Sequence, residues 1–269
     1  MHATGDEIAN MRAALEWYRD MGVDIALGDE PVDRFAAPKA AVPPAAIATP
    51  QAATPQAPAV TQSHHQPETH NVEDAKKLAA AAKTLEELRS LMETFEGCPL
   101  KFRATNMVFA DGNPQAELMF VGEAPGREED MQGVPFVGRS GQLLDRILAS
   151  IQLDREKVFI ANTLPWRPPG NRNPTPAETG VCLPFLERQI ELVSPKIIVT
   201  LGGAAAKTLF NTDQGILRLR GKWRELEIGG HKCEAIATLH PAYLLRQPAQ
   251  KSLVWRDMLA LKAKLSVAN

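Results

Sequence analysis

Cysteine is scarce in this chain of 269 residues. The three cysteines, Cys98, Cys182 and Cys233, are too few and too widely spaced for a disulfide framework. The chain also lacks the run of about 18 apolar residues that a membrane-spanning helix requires. Its N-terminus has no basic segment followed by an apolar run, as a secretory signal would have. These absences predict a cytoplasmic protein with reduced thiols and no membrane association.

Large apolar side chains are almost missing from residues 36–70, where 11 alanines and seven prolines make up just over half of the positions. Such a stretch buries too little apolar surface to offset the cost of ordering it, so it predicts a flexible linker. Before it, residues 1–35 contain a capping box from Thr4 to Glu7 and a predicted amphipathic helix over residues 5–21. This helix either packs on its own domain or docks on a protein partner. Residues 71–269 are the predicted folded domain.

Charge is unevenly distributed along the chain, although the net charge is only −2. Residues 1–70 carry four basic and nine acidic side chains, and the rest of the chain carries 26 basic and 23 acidic ones. The predicted folded domain is therefore mildly basic. That balance is compatible with a polyanionic partner but does not require one.

Apolar runs alternate with helical patterns after residue 71. The predicted strands cover residues 117–121, 157–161, 196–201 and 232–238, and residues 223–228 alternate like an edge strand. Helical spacing covers about 73–95, 141–151, 176–193, 204–210 and 249–265. The pattern predicts a three-layer αβα sandwich with a central, mainly parallel four-stranded sheet. Ligands bind such sheets beyond the carboxyl ends of the strands, so the loops that follow the strands are the candidate site.

The loop after the first strand begins at Gly122 and is rich in glycine and proline, which lets the backbone approach a ligand closely. It lacks the sequence of a Walker loop and of a dinucleotide-binding loop. Phe136 follows between a proline and a glycine, where it could offer a flat face to a planar ligand or fill the core. Ser140 could cap the next helix, whose N-terminus would favour an anion.

The loops after the other strands carry polar and cationic side chains. Asn162 ends the second strand, and its amide could read the edge of a pyrimidine or simply form a turn. His240 follows the last strand, where it could stabilise a leaving anion. Leu244 and Leu245 would then supply an apolar wedge, with Arg246 as a phosphate partner. Arg167 and Arg172 add two cations to a stiff proline-rich loop.

In chain order, these motifs resemble those of the uracil-DNA glycosylase superfamily, most closely its family 4. The resembling elements lie between residues 95 and 262 and are GEAPGREED, GVPFVGRSGQLLDRIL, Asn162, RPPGNRNP, IIVTLGGAAA and HPAYLLR. The resemblance implies a monofunctional enzyme of base excision repair. It would flip uracil out of single- or double-stranded DNA, hydrolyse its N-glycosidic bond and leave an abasic site.

The resemblance also implies roles at the base. Phe136 would stack on the flipped uracil, and Asn162 would read its Watson–Crick edge. His240 would stabilise negative charge at O2 of the departing uracil, while Glu123 or Glu129 would hold the attacking water.

The backbone after Gly122 would bind a uracil carbonyl, and Ala124 stands where family 1 enzymes carry an aspartate. On the DNA, Leu244 would fill the hole left in the duplex. The remaining implied DNA contacts are Ser140, Arg172 and Arg246.

The chain departs from family 4 at the four cysteines that typically hold a 4Fe–4S cluster. Cys98 and Cys182 occupy two of these positions, and Phe95 and Trp166 occupy the other two. Two thiolates cannot hold such a cluster in the usual way. We therefore predict no cluster and no other cofactor, with the aromatic rings filling the space over two buried thiols.

Three other functions stay open. The chain could be a non-catalytic module for uracil-containing or abasic DNA, an enzyme that traps DNA covalently, or a hydrolase of nucleosides or another base lesion. The trapping enzymes carry an inserted basic loop with a reactive histidine, whereas residues 163–174 are few and contain no histidine. A monomer is expected, with the N-terminal helix as a possible contact for a repair or replication protein.

Overall fold

The structure is a computed structural model that describes residues 68–268, with side chains described for residues 71–266. The predicted N-terminal helix and nearly all of the predicted linker lie outside the described residues. Within the described part, none of the helices combines the length and the apolar character needed to cross a membrane.

Six strands of the described residues form one sheet. They are β1 (Asp111–Gly112), β2 (Leu118–Gly122), β3 (Phe159–Asn162), β4 (Ile197–Leu201), β5 (Trp223–Ile228) and β6 (His231–Thr238), in the spatial order β1-β3-β2-β4-β6-β5. The four central strands are parallel, and β1 and β5 are antiparallel strands at the two edges. The mainly parallel αβα class is confirmed. The predicted number of four strands is wrong, because the sheet also has two edge strands.

Nine helices are described: α1 (Glu68–Ala81), α2 (Leu85–Thr94), α3 (Arg127–Gln132), α4 (Arg139–Ser150), α5 (Pro176–Val193), α6 (Gly203–Phe210), α7 (Ile216–Leu219), α8 (Pro241–Arg246) and α9 (Lys251–Ala268). Three 3₁₀ turns accompany them: Arg155–Lys157, Pro169–Asn171 and Pro248–Gln250. The helical pattern predicted over 73–95 is divided into α1 and α2 at Thr84, whose side chain accepts a hydrogen bond from the Glu87 N–H. The helix predicted over 141–151 with Ser140 as its cap begins two residues earlier, at Arg139, with Gly138 as its cap.

Alternate residues of the buried strands supply two separate cores. Leu118 and Phe120 of β2 face a cluster that includes Leu144 and Leu148 of α4. Met119 and Val121 face the opposite cluster with Ile190 of α5. Helices therefore cover both faces of the sheet, and the ends of the strands are left for the site.

Candidate active site

A cleft of about 380 Å³ lies beyond the carboxyl ends of β2, β3 and β6. Nine of the predicted site residues line it: Glu123, Ala124, Glu129, Phe136, Ser140, Asn162, Arg172, His240 and Arg246. Gly122 forms its floor through close contacts with two of them, and Leu244 lies elsewhere. The loops after three strands thus converge on one cavity, as the parallel sheet predicts.

Gly122 has no side chain, and this lets two side chains of the cleft lie close to its backbone. A Cβ atom there would lie 2.4 Å from Oδ1 of Asn162 and 2.6 Å from Cζ of Phe136. Gly122 and Asn162 are also paired in the register of β2 and β3. Any larger residue at 122 would push the amide and the ring away from each other.

Asn162 is 6% exposed, and its Oδ1 has no hydrogen-bond partner among the described residues. A buried polar atom without a partner is costly, and native structures keep few of them. An N–H donor of a ligand in the cleft would satisfy this acceptor. The amide oxygen is therefore available to a ligand in the cleft, and recognition of a base edge by Asn162 stays a prediction.

Phe136 lies both in the core and at the cleft. Its side chain belongs to the core cluster beneath β2, and it also lines the cleft. Its φ of 55° lies in the left-handed region, which an aromatic residue rarely adopts. Its ring centroid is 5.6 Å from that of His240, with 30° between the planes. The two rings thus border the same part of the cleft.

His240 caps helix α8, because its Nδ1 accepts the Ala242 N–H at 3.1 Å. Burial and the nearby Arg246 cation lower the pKa of His240 to about 4, so the imidazole is neutral at pH 7. With Nδ1 used as an acceptor, Nε2 carries the proton and can donate. Gly202, at a φ of +93°, leaves room for the His240 side chain, because a Cβ there would lie 2.9 Å from that of His240.

The two candidate carboxylates differ in what holds them. Oε1 of Glu129 accepts the N–H groups of Val137 and Gly138 at 3.0 and 2.9 Å. The carboxylate of Glu123 has no such donor among the described residues, and burial raises its pKa. Glu129 therefore holds the loop that carries Phe136, whereas the carboxylate acceptors of Glu123 are not used by the described residues.

Asp130, the residue after Glu129 in α3, accepts hydrogen bonds from a different loop. Oδ1 of Asp130 accepts the Thr105 and Asn106 N–H groups at 2.8 and 3.3 Å. Its Oδ2 accepts the Thr105 hydroxyl at 3.1 Å. Glu129 and Asp130 thus accept hydrogen bonds from the backbone of two different loops.

One predicted DNA contact, Leu244, is buried in the core, and another, Arg172, is already paired with a carboxylate. Leu244 is 1% exposed and packs in the core, whereas Leu245 beside it is 38% exposed. Arg172 already forms a bidentate pair with Glu178, at 2.9 and 2.6 Å, and this pair lowers the pKa of Glu178 to about 2. The turn of α8 decides which leucine faces outward, and Arg172 is not an unpaired cation. Arg246 is exposed at the rim of the cleft.

Away from the cleft, Phe95, Cys98, Trp166 and Cys182 lie together in a third buried cluster. We call these four residues the thiol–aromatic cluster. The two Sγ atoms are 3.7 Å apart, and the Phe95 ring packs edge-on against Phe185 at 5.1 Å. The contact with Cys98 and burial raise the pKa of the Cys182 thiol. In the described part of the chain, no group of three or more His, Cys, Asp or Glu side chains is arranged to hold a metal ion.

Sequence reasoning missed some residues of the site. Asn171, Asn173 and Tyr243 line the cleft, and they lie within the motifs RPPGNRNP and HPAYLLR. Arg155, which contacts the loop of Phe136, lies outside every motif. Position in a motif could have revealed the first three, but no pattern indicated Arg155.

Residues 109–259 match the family described as the Uracil DNA glycosylase superfamily. Among curated relatives, the type-4 uracil-DNA glycosylase of Archaeoglobus fulgidus is 49% identical over 155 residues, covering 56% of this chain and 78% of the relative. That of Thermotoga maritima is 44% identical over 153 residues, covering 55% and 77%. That of Sulfurisphaera tokodaii is 38% identical over 184 residues, covering 66% and 84%.

Proposed function

This chain belongs to the uracil DNA glycosylase superfamily, and on that premise we propose how its cleft acts on DNA. It is a family 4-like uracil-DNA glycosylase, a monofunctional hydrolase of DNA repair. It excises uracil by hydrolysing the N-glycosidic bond and leaves an abasic site. Since the scissile bond is inaccessible in a stacked duplex, the uracil must be flipped into the cleft.

The unpaired Oδ1 of Asn162 is the observation that best supports uracil as the flipped base. Uracil presents an N3–H donor beside the O4 acceptor, and one amide can accept from the first and donate to the second. Phe136 supplies the stacking face over the narrow floor at Gly122, where the backbone running to Ala124 meets a uracil carbonyl.

In the proposed reaction, the glycosidic bond breaks as negative charge develops on uracil O2 and positive charge on the sugar. The neutral His240 donates from Nε2 to O2, and this hydrogen bond strengthens as the charge grows. Uracil leaves as an anion with the electrons of the broken bond. Glu123 positions the water that attacks the oxocarbenium-like sugar and accepts its proton. Ala124 offers no carboxylate, so leaving-group stabilisation carries most of the catalysis.

On the DNA side, Arg246 and the first turn of α4 at Ser140 contact phosphates beside the flipped nucleotide. We assign the filling of the vacated space to Leu245, because Leu244 is buried in the core. Arg172 shapes the cleft wall through its pair with Glu178 and contributes little net charge.

The thiol–aromatic cluster does not fit a 4Fe–4S cluster. Two thiols and two aromatic rings, all buried, stand at the four ligand positions that the resemblance implies. We propose that packing of these side chains replaces the cluster as a scaffold, and that the enzyme uses no cofactor. Purified protein should be colourless and free of iron. Stoichiometric iron with a broad absorption near the boundary of the visible and ultraviolet would refute this.

The remaining expectations also stand as proposals. The chain acts as a monomer in the cytoplasm, and the predictions for the N-terminal helix and for nearly all of the linker fall outside the described residues.

A strand-cleavage assay tests the function. Oligonucleotides with one uracil, either single-stranded or paired with G or A, are incubated with enzyme and then treated with alkali, which cuts abasic sites. Turnover supports the proposal. Retarded bands without abasic product indicate a binding module, and an adduct that survives denaturation indicates covalent trapping.

The role of Asn162 has its own test in the same assay. Asn162→Ala should lower the single-turnover rate about 10- to 100-fold, because the base edge loses hydrogen bonds worth about 1–3 kcal/mol. Thr163→Ser, a change at the next residue, is the matched control. Near-normal activity of Asn162→Ala would remove this residue from the site.

A further inference from the structure

Arg155 lies in the 3₁₀ turn between α4 and β3, outside the lining of the cleft. Its side chain is 25% exposed, and all its described contacts are with groups that surround the loop of Phe136. The guanidinium therefore contacts the Phe136 loop from outside the cleft.

Each nitrogen of the guanidinium has a partner. Nε donates to Oδ1 of Asp145 at 2.8 Å, and Nη1 donates to Oδ2 of Asp111 at 2.6 Å. Nη1 also donates to the carbonyl of Pro135 at 3.1 Å, and Nη2 donates to the carbonyl of Phe136. Two carboxylates thus orient the guanidinium, and the guanidinium donates to the carbonyls of two consecutive residues of the loop.

These carbonyls belong to a backbone segment that needs external support. Phe136 has a φ of 55°, which is unfavourable for a residue with a side chain. Its carbonyl is also confined by α4, because a Cβ at Gly141 would lie 1.6 Å from that oxygen. Gly141 leaves the space that the carbonyl occupies, and Arg155 supplies the donor that keeps it there.

We propose that Arg155 is a positioning residue that fixes the left-handed backbone of Phe136 and thereby aims its ring at the flipped base. This inference rests on the proposed function. The planar guanidinium of arginine is required here. The single ammonium group of a lysine cannot donate to both carboxylates and both carbonyls at once.

The test compares Arg155→Lys with Arg188→Lys. Arg188 is a matched control, since it is also 25% exposed, donates to the Ala82 carbonyl from two nitrogens and pairs with Glu191, away from the cleft. Both variants should lose a similar amount of thermal stability. Only Arg155→Lys should slow single-turnover uracil excision, by as much as about 100-fold, because small misplacements of a positioned group can have effects of that size.

A second comparison shows whether the effect passes through the ring. In a Phe136→Ala background, Arg155→Lys should have little further effect on the rate, because the ring that it positions is gone. Additive losses would overturn the inference. Asp145→Asn, which keeps Arg155 but weakens one ion pair, should give a smaller loss than Arg155→Lys and guards against poor folding of that variant.

The outcomes separate the two proposals. If the wild-type protein releases no uracil, the proposed function fails, and the inference with it. If the wild-type protein is active and Arg155→Lys excises uracil at the wild-type rate, only the positioning role of Arg155 is refuted.

Discussion

The cleft and the thiol–aromatic cluster follow opposite structural rules. The cleft keeps a buried acceptor without a partner at Asn162 and a left-handed aromatic residue at Phe136. The thiol–aromatic cluster is closed and apolar, with each of its four side chains at most 4% exposed. Features that destabilise the fold, such as a buried acceptor without a partner, are retained where ligand binding or catalysis offsets them. Where side chains only pack, such features are rare. Substitutions in the cleft should therefore change activity, and those in the cluster should change stability.

The largest expected effect is on the stability of the thiol–aromatic cluster. Trp166→Ala removes a large buried ring, so it should lower the free energy of unfolding by about 3–5 kcal/mol. The rate of uracil excision per folded molecule should stay unchanged. Urea denaturation and single-turnover kinetics below the unfolding transition measure the two quantities. A loss of rate at full folding would show that the two regions are not separable.

The converse effect is expected at His240. His240→Asn keeps a residue that caps α8 well but removes the donor at Nε2. The rate should fall about 10²- to 10³-fold, as when one donor to a developing oxyanion is deleted. The unfolding midpoint should move little. A variant that unfolds early but retains its rate would place His240 with the structural residues instead.

The pH dependence of stability gives a further test. Because the buried His240 resists protonation, its burial lowers the free energy of unfolding at acidic pH. Its pKa is lowered to about 4 from an ordinary value of 6.5. Between these values the unfolded chain binds more protons than the folded one, so stability falls as the pH drops from 6.5 towards 4. The full loss is about 3 kcal/mol. Urea denaturation across this range should show it for the wild type but not for His240→Asn, and identical profiles would contradict it.

The smallest effect on the excision rate is expected at Leu245, the neighbour of Leu244. Leu245→Ala should slow excision from duplex DNA about tenfold, because the flipped state loses the side chain that fills the duplex. Single-stranded DNA, which has no such hole, should be cut at the wild-type rate. Leu244→Ala, in contrast, should lower stability by about 2–5 kcal/mol. The reverse assignment would restore Leu244 as the wedge.

Much of the fold could be predicted because the four central strands are buried on both faces and read as continuous apolar runs. Strand β1 has only two residues, Asp111 and Gly112, and gives no such signal. The start of α4 was misplaced because its cap, Gly138, has no capping side chain.

The site was predicted as a set of loops more reliably than as individual contacts. Phe136 lies between α3 and α4, Asn162 ends β3 and His240 follows β6, and all three line the cleft at one edge of the sheet. Which of Leu244 and Leu245 faces outward depends on how α8 packs against α4, and the pairing of Arg172 with Glu178 depends on the path of the loop between them. These details arise from tertiary packing, which a linear pattern does not encode.

Helix α3 connects the two regions mechanically. Glu129 holds the backbone of the Phe136 loop, and its neighbour Asp130 holds residues 105 and 106, which lie between Ala104 and Met107 at the border of the thiol–aromatic cluster. One short helix thus bonds to both regions through adjacent carboxylates. A substitution in the cluster leaves the Phe136 loop in place only if residues 105 and 106 keep their hydrogen bonds to Asp130.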